Sequence, residues 1–237
     1  MDSNNAQVVS IPNPSKPGHH LAGYLVMPEQ TPAPGVLIIH EAFGVNENIR
    51  EIAWRFAREG YVALAADLFS DGNRAVCLFR AFYGILVSPL KNGTVGELRA
   101  ALDFLRNTQG VDARRVGVIG FCMGGSYALQ LACLDDELRA ASVFYGQNPR
   151  PLDAVQRACP IVGSYPNPDI STKDGRKLEM KLKEYQIPHD IKIYEGARHS
   201  FFNDTSGNHH AEAADDAWRR TLAFFEEHIR VKDPMGF

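Results

Sequence analysis

The stretch "RVGVIGFCMGGSYALQLACL", residues 115–134, carries a β-branched run into a cysteine flanked by glycines, and from there into a helix-like segment. A strand that passes into a helix through G-x-Cys-x-G needs its glycines for a mechanical reason. The turn is so tight that side chains two residues before and after the central residue would collide, so Gly120 and Gly124 are required. Cys122 itself is expected in a strained conformation with its thiol turned outward. That thiol stands at the N-terminus of a helix, where the dipole favours thiolate. With 20 glycines in 237 residues, composition alone would flank one of four cysteines this way about 3 times in 100. A buried thiol beside a glycine-rich helix start is therefore the weaker reading.

Working outward, short apolar runs alternate with longer helix-like stretches. Strands are expected at 6–11, 21–27, 35–40, 61–66, 115–120, 141–146, 161–165 and 189–195. From the third onward they are continuous and rich in Val and Ile, as strands covered on both faces of a parallel sheet are. The first two read as an antiparallel lead-in. In "NENIREIAWRFAREG" (46–60), Ile49, Ile52, Ala53 and Phe56 recur at helical spacing and Gly60 marks a C-terminal cap. Segments 94–109, 124–134, 175–186 and 212–229 read similarly. The alternation predicts a doubly wound, mostly parallel α/β sheet with helices on both faces and no large lid domain. No linker separates two composition regimes, so residues 1–237 are read as one domain. Residues 69–93 mix helix signals with Gly and Pro and are expected to form a flap over a site.

The formal net charge is −3, from 25 basic and 28 acidic residues. Without a basic run this gives no reason to expect nucleic acid or an anionic membrane, and the expected ligand is a small molecule. The N-terminus lacks the pattern of a secretory signal, and no apolar run reaches membrane-spanning length. Cys77, Cys122, Cys133 and Cys159 show no CxxC or Cys/His ligand spacing. No metal, cofactor or disulfide framework is expected, and a cytoplasmic monomer or small homo-oligomer is the simplest reading.

A nucleophile needs a base, and the base needs an orienting acid. Hydrolases with this elbow place them in the order nucleophile, acid, histidine at the ends of later strands. Of eight histidines, His199 in "EGARHSFFND" follows the last strand by a short loop, at the right edge of the sheet. His189 precedes that strand; His209, His210 and His228 suit solvated or helix-capping roles. Asp169, in "PNPDIS" after the seventh strand, is the better acid. Asp174 is explained as a helix cap. Glu41 ends the third strand in "IIHEAFG", where the following loop supplies one oxyanion donor. It is expected beside the thiol, with backbone N–H groups of Met123 and Ala42 forming an oxyanion hole.

Together, "HEAFG", "GFCMGG", the Asp169 loop and "HSFFND" resemble the dienelactone hydrolase family of the α/β-hydrolase fold over nearly the whole chain. The resemblance implies that Cys122 attacks a lactone or ester carbonyl, with His199 as base and Asp169 as its acid. It also implies that Glu41 sits against the resting thiol and helps generate thiolate when substrate binds. Family members that cleave dienelactone hold its carboxylate with two arginines; this chain carries Asp71 and Asn203 at those places. Losing two fork-shaped donors disfavours an anionic substrate. The expectation is a cofactor-free, dienelactone hydrolase-like (carboxymethylenebutenolidase-like) enzyme working through a cysteine acyl-enzyme. The competing readings are a broad esterase or thioesterase for neutral acyl groups, a non-catalytic hydrolase-fold binding protein, and a redox-sensing thiol.

Overall fold

Adjacent residues along each central strand bury to opposite faces, and this sorts the core into two halves. On β3 (Ala33–Ile39), Leu37 and Ile39 join one cluster while Val36 and Ile38 join the other. On β4 (Val62–Asp67), Val62, Leu64 and Ala66 divide from Ala63 and Ala65 in the same way. Strands covered on both sides have no polar face, which is why they read as continuous apolar runs.

The computed structural model describes residues 5–13, 16–87 and 90–230. Its remaining strands are β1 (Ala6–Pro12), β2 (His20–Val26), β5 (Val111–Phe121), β6 (Ala140–Phe144), β7 (Ile161–Asn167) and β8 (His189–Glu195). The sheet order is β1-β2-β4-β3-β5-β6-β7-β8. Pairings β1/β2 and β2/β4 are antiparallel and the rest parallel, so β2 alone runs against the others. The eight strands, with the antiparallel lead-in at one edge, are those expected.

One face is covered by α1 (Glu47–Arg58) and α6 (Ala211–Phe225), through Ile49, Ile52, Phe56, Ala217, Trp218 and Phe225. Each of the large side chains in that layer contributes about 1.5–3 kcal/mol by leaving water. Asn46 caps α1 by accepting from Ile49 N–H at 3.1 Å, and Gly60, at φ +79°, turns the chain after it. The other face carries α2 (Arg74–Val87), α3 (Gly93–Arg106), α4 (Met123–Leu134) and α5 (Thr172–Glu184). Among the described residues no helix is long and apolar enough to cross a membrane.

One segment that the sequence leaves unread takes shape, and one expectation, the Asp174 cap, needs correction. The 69–93 segment contains the helix α2, docked on α4: Tyr127 Oη donates to the Ala81 carbonyl at 2.7 Å, and Arg80 of α2 pairs with the buried Glu97 of α3 at 2.8 Å. Gly84 permits the approach, because a Cβ there would lie 2.9 Å from Tyr127 Oη. α2 exposes Val76, Phe79, Tyr83 and Leu86, which obscures the amphipathic pattern of the segment. Residues 88–89 of that segment lie outside the described residues. Asp174 is not a helix cap: α5 starts at Thr172 behind Ser171, leaving Asp174 in the first turn and half-buried.

Candidate active site

β5 lies between β3 and β6 and ends at Phe121, so the next residue emerges over the middle of the sheet's carboxyl edge. Cys122 has φ 54° and ψ −115°, a conformation a side chain adopts at a cost of about 1–3 kcal/mol. Backbone packing enforces it. A Cβ on Gly120 would sit 2.0 Å from the Gly124 carbonyl oxygen, and one on Gly124 would sit 2.2 Å from the Ile39 carbonyl oxygen. The elbow is therefore pressed between its own helix and the end of β3. Cys122 N–H donates to the Phe144 carbonyl at 3.0 Å, and its carbonyl accepts from Ser126 N–H at 3.1 Å.

β7 and β8 deliver the partners. His199 Nδ1 lies 3.0 Å from Asp169 Oδ2 and 3.2 Å from Oδ1, and the Cys122 thiol is near enough to act on the imidazole's proton affinity. With the carboxylate accepting from Nδ1–H, Nε2 is left without an acid partner among the described residues. Asp169 is itself oriented by Ser171, whose N–H and Oγ–H both donate to Oδ1, at 2.8 and 2.5 Å. Burial alone would raise the Asp169 carboxyl, but the hydrogen bonds from His199 and Ser171 outweigh it and hold the group below the usual carboxylate range. Burial alone would lower His199; the bonds to Asp169 and Cys122 and their negative charge push it up to about 10.

A pH effect follows from that direction. Because the native imidazole binds its proton more tightly than the unfolded one, His199 contributes full stability below about pH 6.5. That contribution is lost as pH rises toward about 10. Unfolding midpoints across pH 6–10 should fall more steeply for the native chain than for His199→Gln, and parallel curves would refute the assignment.

Glu41 is 5% exposed yet accepts three hydrogen bonds: Tyr145 Oη at 2.9 Å and Ser200 Oγ at 3.0 Å on Oε1, and Asn203 Nδ2 at 3.2 Å on Oε2. These neutral donors, rather than the thiol, take up the carboxylate. The Tyr145 ring also lies 4.9 Å from the His199 ring, so one side chain touches both Glu41 and the histidine. Burial first, then the adjoining Glu41, raise the Tyr145 phenol well above its ordinary value, so it stays a proton donor. Tyr145, at φ 42°, and Ser200, at φ 62°, were not singled out from the sequence. Their only signal there was position, one residue past β6 and one past His199.

The buried His40 was missed as well. Its Nδ1–H donates to the Glu41 carbonyl at 2.5 Å and its Nε2 accepts from Leu68 N–H at 3.1 Å. Burial lowers its pKa, and the neutral ring pins the chain at Glu41. In the following loop, Ala42 N–H, like Met123 N–H at the start of α4, has no acceptor among the described residues. The Asp71 carboxylate is turned to the lead-in, its Oδ2 2.7 Å from His19 Nδ1. His210 caps α6 by accepting from Ala213 N–H at 3.4 Å. Among the described residues no group of three or more His, Cys, Asp or Glu side chains could hold a metal ion.

Residues 21–229 match the dienelactone hydrolase family. A protein of Saccharolobus solfataricus named "Putative carboxymethylenebutenolidase" is 33% identical, over 87% of this chain and 94% of its own length. One of the same name from Synechocystis sp. is 31% identical over 94% and 97%. The crystal structure of a dienelactone hydrolase-like promiscuous phosphotriesterase from metagenomic libraries superposes with a TM-score of 0.82 at 26% identity, covering 94% of this chain and 98% of that one.

Proposed function

The chain belongs to the dienelactone hydrolase family, and on that premise we propose that it hydrolyses a small lactone or carboxylic ester through a thioester on Cys122. The observation that carries this reading is the Asp169–His199 pair, hydrogen-bonded at 3.0 Å and acting on the thiol of Cys122 at a strained elbow. His199 Nε2 holds the proton of the Cys122 thiol, as its raised pKa favours, and the thiolate Sγ bonds to the carbonyl carbon as the C=O π electrons move to oxygen. That oxyanion is met by the N–H groups of Met123 and Ala42, which have no other acceptor. Collapse breaks the bond to the alkoxy oxygen, which leaves with the proton from His199. Water, deprotonated by the same nitrogen, then attacks the thioester and releases the acid and the free thiol.

Asp169 holds the imidazole in the tautomer this requires and balances its charge. Glu41 is a reserve base: substrate that displaces Tyr145, Ser200 or Asn203 would free its carboxylate to take the thiol proton. An elbow cysteine with an acid and a histidine at matching strand ends serves no purpose in a binding module, which favours an enzyme.

Within ester chemistry, neutral substrates are favoured over anionic ones. Of the two places where an arginine would hold a substrate carboxylate, Asn203 is committed to Glu41 and Asp71 to His19. Two buried or half-buried carboxylates, Glu41 and Asp169, already face the site. A panel of dienelactone, an uncharged lactone and simple aryl esters tests this. We expect kcat/KM for the uncharged lactone to exceed that for dienelactone by about tenfold or more, the worth of an unmet charge pairing. A preference for the anion would overturn the neutral-substrate reading.

A further inference from the structure

A cleft of about 350 Å³ lies between the C-terminal turn of α2, the loop that follows β6, and the first turns of α5. Its apolar lining is Ile85 and Leu86 from α2 with Pro149, Pro151 and Leu152 from the loop. Exposed leucine beside two prolines forms a rigid apolar surface, because proline has little conformational freedom left to lose when a ligand settles on it.

Two chains of contact tie this cleft to the elbow. The Phe144 carbonyl accepts Cys122 N–H, and three residues later Gln147, which lines the cleft, donates its N–H to Ser126 Oγ at 2.8 Å. Ser126 Oγ in turn donates to the Cys122 carbonyl at 3.3 Å. These two bonds hold Gln147 N within about 6 Å of the Cys122 carbonyl oxygen, so the cleft begins within the reach of a medium-length carbon chain attached to a carbonyl at Sγ. α2 also runs from the loop after β3 to the cleft. Arg74 at its start donates to the Phe43 carbonyl at 2.8 Å, next to Ala42, and Leu86 near its end lines the cleft.

The charged groups at the rim, Arg150, Asp174 and Lys177, stand outside the apolar lining. Asp174 stands on α5 with its carbonyl accepting from Asn148 Nδ2 at 2.9 Å, and Lys177 and Arg150 both act on its carboxylate.

We propose that this cleft is a subsite for the part of the acyl group remote from the scissile carbonyl, and that it takes an uncharged alkyl or aryl chain of medium length. The assignment rests on the acyl-enzyme reading above and adds to it where the acyl chain lies. The test is a series of 4-nitrophenyl esters: acetate, hexanoate, decanoate and the hexanoate bearing a terminal carboxylate. The native chain should turn over hexanoate with a kcat/KM about tenfold or more above acetate, from methylenes that leave water in the cleft. Leu86→Trp and Leu152→Trp fill the cleft and should bring the hexanoate-to-acetate ratio to about one. Leu152→Ala enlarges it and should raise decanoate relative to hexanoate, which keeps the assignment testable if a tryptophan variant fails to fold. A ratio near one in the native chain, or ratios unmoved by the variants, would overturn the subsite. A preference for the terminal carboxylate would overturn its uncharged occupant. Loss of the underlying reading looks different: acetate turnover would survive Cys122→Ala, whereas a flat chain-length profile with Cys122-dependent turnover removes the cleft alone.

Discussion

Cys122→Ala is expected to lower kcat for 4-nitrophenyl acetate by on the order of 10⁴-fold or more, as removal of a nucleophile does in comparable triads. The variant isolates chemistry from folding. Alanine at φ 54° bears the same backbone strain as cysteine, and Cys122 is only partly buried, so the unfolding midpoint should move by no more than a few degrees. Incubating the native chain with the same ester and quenching should leave one acetyl group on Cys122, read by mass spectrometry of the peptide. The hydroxyls around the site are engaged elsewhere: Ser126 Oγ–H points to the Cys122 carbonyl, Ser200 Oγ–H to Glu41 and Ser171 Oγ–H to Asp169. Acyl label on one of these serines, or turnover undiminished in the variant, would remove Cys122 from the mechanism.

Gly120→Ala should cost about 3 kcal/mol or more in urea-unfolding free energy, and activity with it. The added methyl group would lie 2.0 Å from the Gly124 carbonyl oxygen and 2.9 Å from Gly125 N. Both are backbone atoms of the first turn of α4, so no flexible side chain can yield. Either the elbow opens, displacing Cys122 from His199, or the start of α4 shifts off β3. Gly96→Ala supplies the control. It lies inside α3 with nothing within 4 Å of its added Cβ, and alanine there should stabilise by up to about 1 kcal/mol through helix propensity. A loss below about 1 kcal/mol at Gly120 would mean that the elbow is not held by backbone crowding.

The contrast between these two glycines bears on what a linear reading can reach. Gly120 announces itself because its neighbours, a β-branched run before and a helix-like run after, set the kind of turn between them. Local periodicity also placed all eight strands, since each is a short apolar run whose register along the chain needs no knowledge of its partners. His199 and Asp169 were reachable for a related reason: both follow strands of one parallel sheet, and parallel strands bring their carboxyl ends to one edge. The α2 helix was not reachable in this way. It packs a narrow stripe of Cys77, Ala81, Gly84 and Ile85 and leaves larger apolar residues outside, so its hydrophobic pattern points away from its own core.

Sequence alone thus determined the sheet, the elbow and the strand-end positions of His199 and Asp169, because each follows from patterning within a few residues or from the chain order of strands. Only the tertiary structure decided what surrounds them. Glu41 is bound by Tyr145, Ser200 and Asn203, which lie 104, 159 and 162 residues further along. Asp71 turns to His19, 52 residues before it. Such pairings leave no mark in local periodicity, because they depend on where the ends of separate strands and the lead-in meet in space, and on which buried carboxylate must find donors once water is gone.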